Sequence, residues 1–245
     1  MRATRSGMMG PGRLGGRTVP IAFVVCAAVS LGGCLTLPAE SSPGPAPQTT
    51  VATEARTEPS MSLTERQVRI LDAADELLAT QNFVISGYRY AYDCTGTILA
   101  IYAMAGIPLV DLFPDYSGNG VTRLYGIAGD RDLLYHSDFP LPGDLIFWDN
   151  TYDKNGDRQW NDGLTHVGLV LSSEPDGTIE YLHHDYTKGV VRARMNLTDP
   201  DTHMGENGII VNSPMRMRRD RPLNPDEWLA SHLYRRLGAL HRIDL

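Results

Sequence analysis

Cys94 opens the apolar stretch CTGTILAIYAM, behind Asp93 and two residues ahead of Gly96. A thiol attacks as its thiolate. The free N–H groups at a helix start and a neighbouring protonated histidine both lower its pKa. Asp93 is placed to cap such a helix, and Gly96 lets another backbone come close. The base must come from elsewhere in the chain. Of His136, His166, His183, His184, His203, His232 and His241, only His166 and His183 fall on consecutive strand-like runs, THVGLVL and TIEYLH. The turn Glu174-Pro175-Asp176-Gly177 joins these runs as a hairpin. Alternation puts His166 on the face of Gly168 and Val170, and His183 on the face of Ile179 and Tyr181. Antiparallel neighbours then bring the two imidazoles side by side, as a base and its orienting partner require. A solvated pair or a metal site has the same pattern. His183-His184-Asp185 invites zinc too, although no further ligand has zinc spacing.

The surrounding elements change period along the chain. Ser62-Leu63-Thr64-Glu65 reads as a capping box, followed by Val68, Leu71, Ala74 and Leu78 at helical spacing up to about Thr80. A second helix runs from Cys94 or Thr95 to Ala105, where Gly106 and Pro108 stop it. Residues 107–140 are irregular, with a short helix over Val121 to Ala128. Strands follow at Asp144 to Trp148, Thr165 to Leu171, Thr178 to His183 and near Gly208 to Val211. Asn224-Pro225 then opens a last helix with Leu229, Leu233 and Leu237 on one face. Helices first and an antiparallel sheet after them predict an α+β fold in one domain over 62–245.

The N-terminus reads as an export signal. Arg2, Arg5, Arg13 and Arg17 precede the apolar run Pro20 to Leu31, which is shorter than the ~20 residues a bilayer span needs. Leu31-Gly32-Gly33-Cys34 is similar to a lipobox. Residues 1–33 are then a lipoprotein signal peptide and Cys34 the lipidated first residue of the mature chain. An ordinary signal with an incidental cysteine is the competing reading. Leu35 after the cysteine, by resemblance to enterobacterial lipoproteins, favours an outer membrane facing the periplasm. Residues 34–61 are rich in Pro, Ser, Thr and Ala. They read as a disordered tether reaching roughly 30 Å. Loss of Cys26 with the signal and lipidation of Cys34 leave Cys94 as the only thiol, either reactive or buried and inert. Loss of the signal also takes four positive charges from a net charge of −7, leaving −11, which argues against nucleic acid as a partner.

Three ordered blocks carry a family resemblance. Asp93-Cys94-Thr95-Gly96 resembles the D-C-S-G start of NlpC-type cell-wall cysteine peptidases. Leu141-Pro142-Gly143-Asp144-Leu145-Ile146-Phe147-Trp148 resembles their P-G-D-L strand, and Thr165-His166-Val167-Gly168-Leu169-Val170 their H-V-G strand. Asp176-Gly177-Thr178-Ile179 is similar to the next strand of the related CHAP amidases. The resemblance implies a papain-like core with Cys94 as nucleophile, His166 as base and His183 as the orienting third residue. His184 is the fallback, because a one-residue slip reverses the face. It also implies an oxyanion hole containing the Cys94 N–H, and a site-lining tyrosine among Tyr88, Tyr90 and Tyr92. Thr95 departs from the usual Ser. His166 lies 72 residues beyond Cys94, with extra sequence in 109–140 and 149–164 that can border the cleft.

The second insertion places Asp153, Asn155, Asp157, Gln159 and Asn161 at alternate positions, as in an EF-hand loop. Arg158 stands where that loop has Gly, and Leu164 where it has Glu, with Asp162 as a substitute ligand. A structural calcium ion and a metal-free polar loop are the two readings, and catalysis itself implies no cofactor. Together these features point to a lipid-anchored hydrolase cutting amide bonds in peptidoglycan stem peptides. A silent binding or scaffold lipoprotein on the same fold, or an acyltransferase using the same nucleophile, is the alternative.

Overall fold

The computed structural model describes residues 62–245. The expected signal peptide, lipidated Cys34 and tether lie outside them. Among the described residues no helix is long and apolar enough to cross a membrane. The fold is α+β, with helices α1 (Glu65–Thr80), α2 (Cys94–Met104) and α3 (Gly120–Gly129). A hairpin of β1 (Val84–Ile85) and β2 (Tyr88–Arg89) separates α1 from α2. The remaining strands are β3 (Leu134–Tyr135), β4 (Leu145–Trp148), β5 (His166–Ser173), β6 (Thr178–Asp185), β7 (Gly189–Asn196) and β8 (Tyr234–Gly238). They form one antiparallel sheet in the order β3-β8-β4-β5-β6-β7.

Both faces of the sheet are covered, which explains why all four residues of β4 are buried. Leu145, Phe147, Val167, Leu169 and Leu182 pack under the helices with Ile70, Leu77, Ile98, Ile101 and Leu124. Ile146, Trp148, Val170, Ile179 and Tyr181 face the other way, toward Met195, Ala230, Leu233 and Leu237. Helix α2 is buried from Gly96 through Tyr102 and is the central helix of the first layer.

Three sequence expectations are corrected. The capping box of α1 is Thr64 with Gln67, two residues later than expected. The Gln67 Nε2 also donates to Pro142 O at 2.8 Å, a tertiary contact that selects this register. The buried face of α1 is accordingly Ile70, Ala73, Ala74 and Leu77, while Val68 is exposed. No regular strand forms near Gly208 to Val211, where only an isolated bridge joins Met204 and Ile210. The expected C-terminal helix is instead a turn followed by β8, inserted between β3 and β4. Leu229, Leu233 and Leu237 are all buried, as their spacing suggested. Backbone bonds from Ala230 N–H to Ser213 O and from Met215 N–H to Trp228 O hold that stretch extended. Strand β7, not anticipated, carries Arg192 and Arg194 outward to Glu180 and Asp75.

Two local features seat α2. The Asp93 carboxylate accepts the Gly96 N–H at 2.7 Å, capping the helix. A Cβ on Gly96 would lie 1.9 Å from Ala91 O, so the chain entering α2 folds directly over this residue. In an open helix Gly→Ala adds about 1 kcal/mol of stability. Here the collision should reverse the sign. Gly96→Ala is expected to lower stability by about 3 kcal/mol, read from the urea midpoint. A midpoint unchanged or raised would refute the close approach.

Candidate active site

The candidate site forms where the pairing of β5 with β6 ends. Their partners run from Ser173↔Ile179 to Leu169↔Leu182 and stop there. Strand β5 stays paired with β4 out to His166, and β6 with β7 out to Asp185. The start of α2 packs on the helix-side core, with Cys94 and Val167 against the same cluster, and the Val167 backbone is among the groups that lower the thiol pKa. The side chains of His166 and His183 bridge the gap between β5 and β6, with Nε2 of His166 3.0 Å from Nδ1 of His183. This is the side-by-side arrangement expected from alternation. Trp148 and Tyr181 wall the pair, their ring centroids 5.7 Å from His166 and 5.4 Å from His183 respectively.

Burial pushes the His166 pKa well below the usual histidine value, and the nearby His183 and His184 add to this. Burial also takes His183 down to about 4, against the opposing charge of Asp185. Both imidazoles are therefore neutral at pH 7. If the Nε2–H of His166 donates to Nδ1 of His183, the Nδ1 of His166 keeps a lone pair for a proton. Among the described residues no hydrogen bond joins Cys94 to either histidine.

The thiol departs from expectation. Burial, followed by the charge of Asp93, pushes Cys94 up to about 11, outweighing the hydrogen bonds from Val167 and Thr95 that lower it. Two donors of the helix start are already used. The Gly96 N–H bonds the Asp93 carboxylate, and the Thr97 N–H bonds Asp93 O at 3.0 Å. The carboxylate that caps α2 thus takes a donor a thiolate would use, and adds a like charge beside it.

His184 points to the opposite face from His183, against Tyr92 and Phe83, and its buried Nε2 has no partner among the described residues. Opposite faces of one strand do not let His183 and His184 share a zinc ion. Of the tyrosines, Tyr88 and Tyr90 pack ring on ring at 4.7 Å, and the Tyr92 hydroxyl lies 3.2 Å from Gln81 Oε1. None of the three bonds Cys94 among the described residues.

Both insertions reach the start of α2. A Cβ on Gly120, the first residue of α3, would lie 2.3 Å from Thr95 Cγ2, and Asn119 Nδ2 donates to Leu164 O at 3.4 Å. In the 149–164 loop, Asp153 accepts the N–H groups of Gly156 and Arg158. Asp157 accepts from Gln159, Asn155 and Asn161. Asp162 is buried beneath the loop and donates its N–H to Asn150 Oδ1. Among the described residues no three His, Cys, Asp or Glu side chains are grouped to hold a metal ion. The loop is tied to the body by Arg216, which sequence reasoning did not single out. Its guanidinium lies over Trp160 and bonds Asn150 O and Asp220 O. A cavity of about 810 Å³, lined by Leu63, Phe139, Pro142 and Glu174 among others, includes Ser173 at the far end of β5. It contains none of the candidate residues.

Two measurements follow. Iodoacetamide labelling of Cys94, followed by mass, should be slow at pH 7 and rise about tenfold per pH unit until near 11. Labelling that saturates near neutral pH would contradict the raised pKa. For His183, the folded pKa lies below the unfolded value, so the unfolded chain binds more protons between about pH 4 and 6.5. Its contribution is complete above about 6.5 and is lost as pH falls toward about 4. The urea midpoint should fall across that window, and His183→Gln should flatten the fall; identical slopes would overturn the assignment.

No protein-family model matches the chain, and neither does any curated protein or solved structure.

Proposed function

We propose that the chain is a cysteine hydrolase cutting amide bonds in peptidoglycan stem peptides from a lipid-anchored position in the bacterial envelope. The observation that carries this reading is the His166–His183 hydrogen bond of 3.0 Å, next to Val167, which packs in the same core cluster as Cys94. A cysteine at the start of a central helix, packed on an antiparallel sheet that carries two histidines, is also the arrangement of a papain-like core. The ordered D-C-T-G, P-G-D-L and H-V-G blocks supply the resemblance to NlpC-type and CHAP enzymes.

In the resting state the thiol and both imidazoles are neutral. His166 Nδ1 therefore takes the Sγ proton while sulfur attacks, rather than holding a preformed ion pair. The new S–C bond sends the carbonyl π pair onto oxygen. Collapse of that oxyanion breaks the C–N bond, and protonated His166 gives its proton to the departing amine. Water, deprotonated by His166, then releases the acyl group and restores the thiol. His183 holds the His166 ring and its tautomer throughout. No cofactor enters these steps, and calcium in the 149–164 loop would be structural only.

A silent envelope-binding protein is the competing reading, favoured by the Cys94 pKa of about 11. An acyltransferase differs only in replacing water by another acceptor. Digestion of muropeptides followed by mass spectrometry separates the three. Wild type should yield stem-peptide fragments that together have gained one water, and Cys94→Ala none. Intact muropeptides with folded wild type would remove the hydrolase reading, and joined products would replace it with transfer.

A further inference from the structure

The 810 Å³ cavity at the Ser173 end of β5 is an apolar groove, walled by the start of α1, the segment 139–142 and the β5–β6 turn. Two of its large apolar side chains stay open to solvent, Leu63 at 40% and Phe139 at 51% exposed. Covering such surface is favourable. Two cations stand on the same groove against one acid, Glu174. Arg66 donates to the carbonyls of His241 and Ile243, and Arg242 Nε lies 3.4 Å from His241 Nε2. Neither guanidinium meets a carboxylate among the described residues. The described chain also begins here, since Ser62, Leu63 and Thr64 line the groove. The five residues before them are Thr57-Glu58-Pro59-Ser60-Met61. We propose that residues 57–61 of this chain occupy the groove, Pro59 and Met61 covering its apolar wall and Glu58 meeting its arginines.

Reach and composition both fit. Five extended residues span at most about 17 Å, and a cavity of 810 Å³ is roughly 9 Å across. Methionine adapts to an irregular apolar surface, and proline has little backbone freedom to lose on seating. Attachment at Ser62 makes the contact intramolecular, so a small gain suffices where a separate partner bears the full cost of association. The groove lies at the end of β5 opposite His166, so a seated segment leaves the candidate site open. The inference therefore goes beyond the hydrolase reading and does not rest on it.

Arg56 is the only Lys or Arg between Arg17 and Arg66, which makes it a reporter for the residues that follow it. Trypsin can cut after Arg56 only when those residues are unseated. Cutting is timed on the full chain in detergent, by mass spectrometry of the fragment that begins at Thr57. Phe139→Ser, at an exposed position, should speed the cut about tenfold by removing most of the apolar cover. Glu58→Lys should also speed it, and Pro59 keeps the new side chain from becoming a cut site itself. Adding Arg242→Glu to Glu58→Lys should then slow the cut by about threefold, as an exchanged surface pair does. Wild type cut as fast as Phe139→Ser would overturn the proposal, and so would a double variant cut no slower than Glu58→Lys alone. Protection that grows with protein concentration would give the groove to a second copy. Protection that appears only with phosphatidylglycerol vesicles would give it to a membrane. Either would overturn the assignment to residues 57–61. Intact muropeptides with Arg56 still protected would remove the hydrolase reading and leave this one standing.

Discussion

Helix α2 can reach the sheet only because Gly96 has no side chain. Its missing Cβ is the space through which the chain at Ala91 passes, and that turn delivers Cys94 against the helix-side core. If the helix stood off by the width of a methyl group, Cys94 would lose its place against the core cluster that holds Val167. The same constraint accounts for α3, whose Gly120 rests against Thr95 without room for a side chain. Two helix starts thus converge on one strand end. The 149–164 loop closes over that junction because Arg216 and the Thr151–Thr165 pair hold it from beneath.

Strand opening and imidazole pairing are linked. A sheet that stayed paired to the end of β5 would use the Val167 N–H on a carbonyl of β6. Opening frees that donor from the ladder and lets the two histidines link the strands with a bond of their own. Burial between Trp148 and Tyr181 then keeps them uncharged. The P-G-D block has a structural role in this. The fully buried Asp144 accepts the Leu141 N–H and the Tyr135 hydroxyl and lies 3.2 Å from His241 Nδ1, fixing where β4 begins. Register then runs from β4 into β5 and sets the level of His166.

Elements with strong local signals were legible in the sequence. The Asp93 cap, the Gly106 stop and the alternation along β5 and β6 act over a few residues and survived folding unchanged. The side-by-side imidazoles followed from two such signals and one turn. The C-terminus was not legible, because leucines four apart suit a helix face, and only the open edge of β4 selects a strand there. The thiol pKa was misjudged for a related reason. Helix-start donors were assumed free, whereas the capping carboxylate, itself correctly read, takes one of them. The seat of the 149–164 loop depends on contacts of Thr151 with residues 14 and 66 positions away, which no local pattern records.

Asp93 therefore serves two opposed ends. As a cap it stabilises the helix that presents Cys94, by about 1 kcal/mol on ordinary scales. As a charge it holds the thiol protonated beside neutral imidazoles. Between largely buried groups an ion pair formed before substrate arrives carries a desolvation cost. On the proposed hydrolase reading, a nucleophile that ionises only as its proton moves to His166 avoids that cost. Charge then develops first on the carbonyl oxygen, where donors matter most. A site so arranged depends less on the thiol's own acidity than on what surrounds the oxyanion.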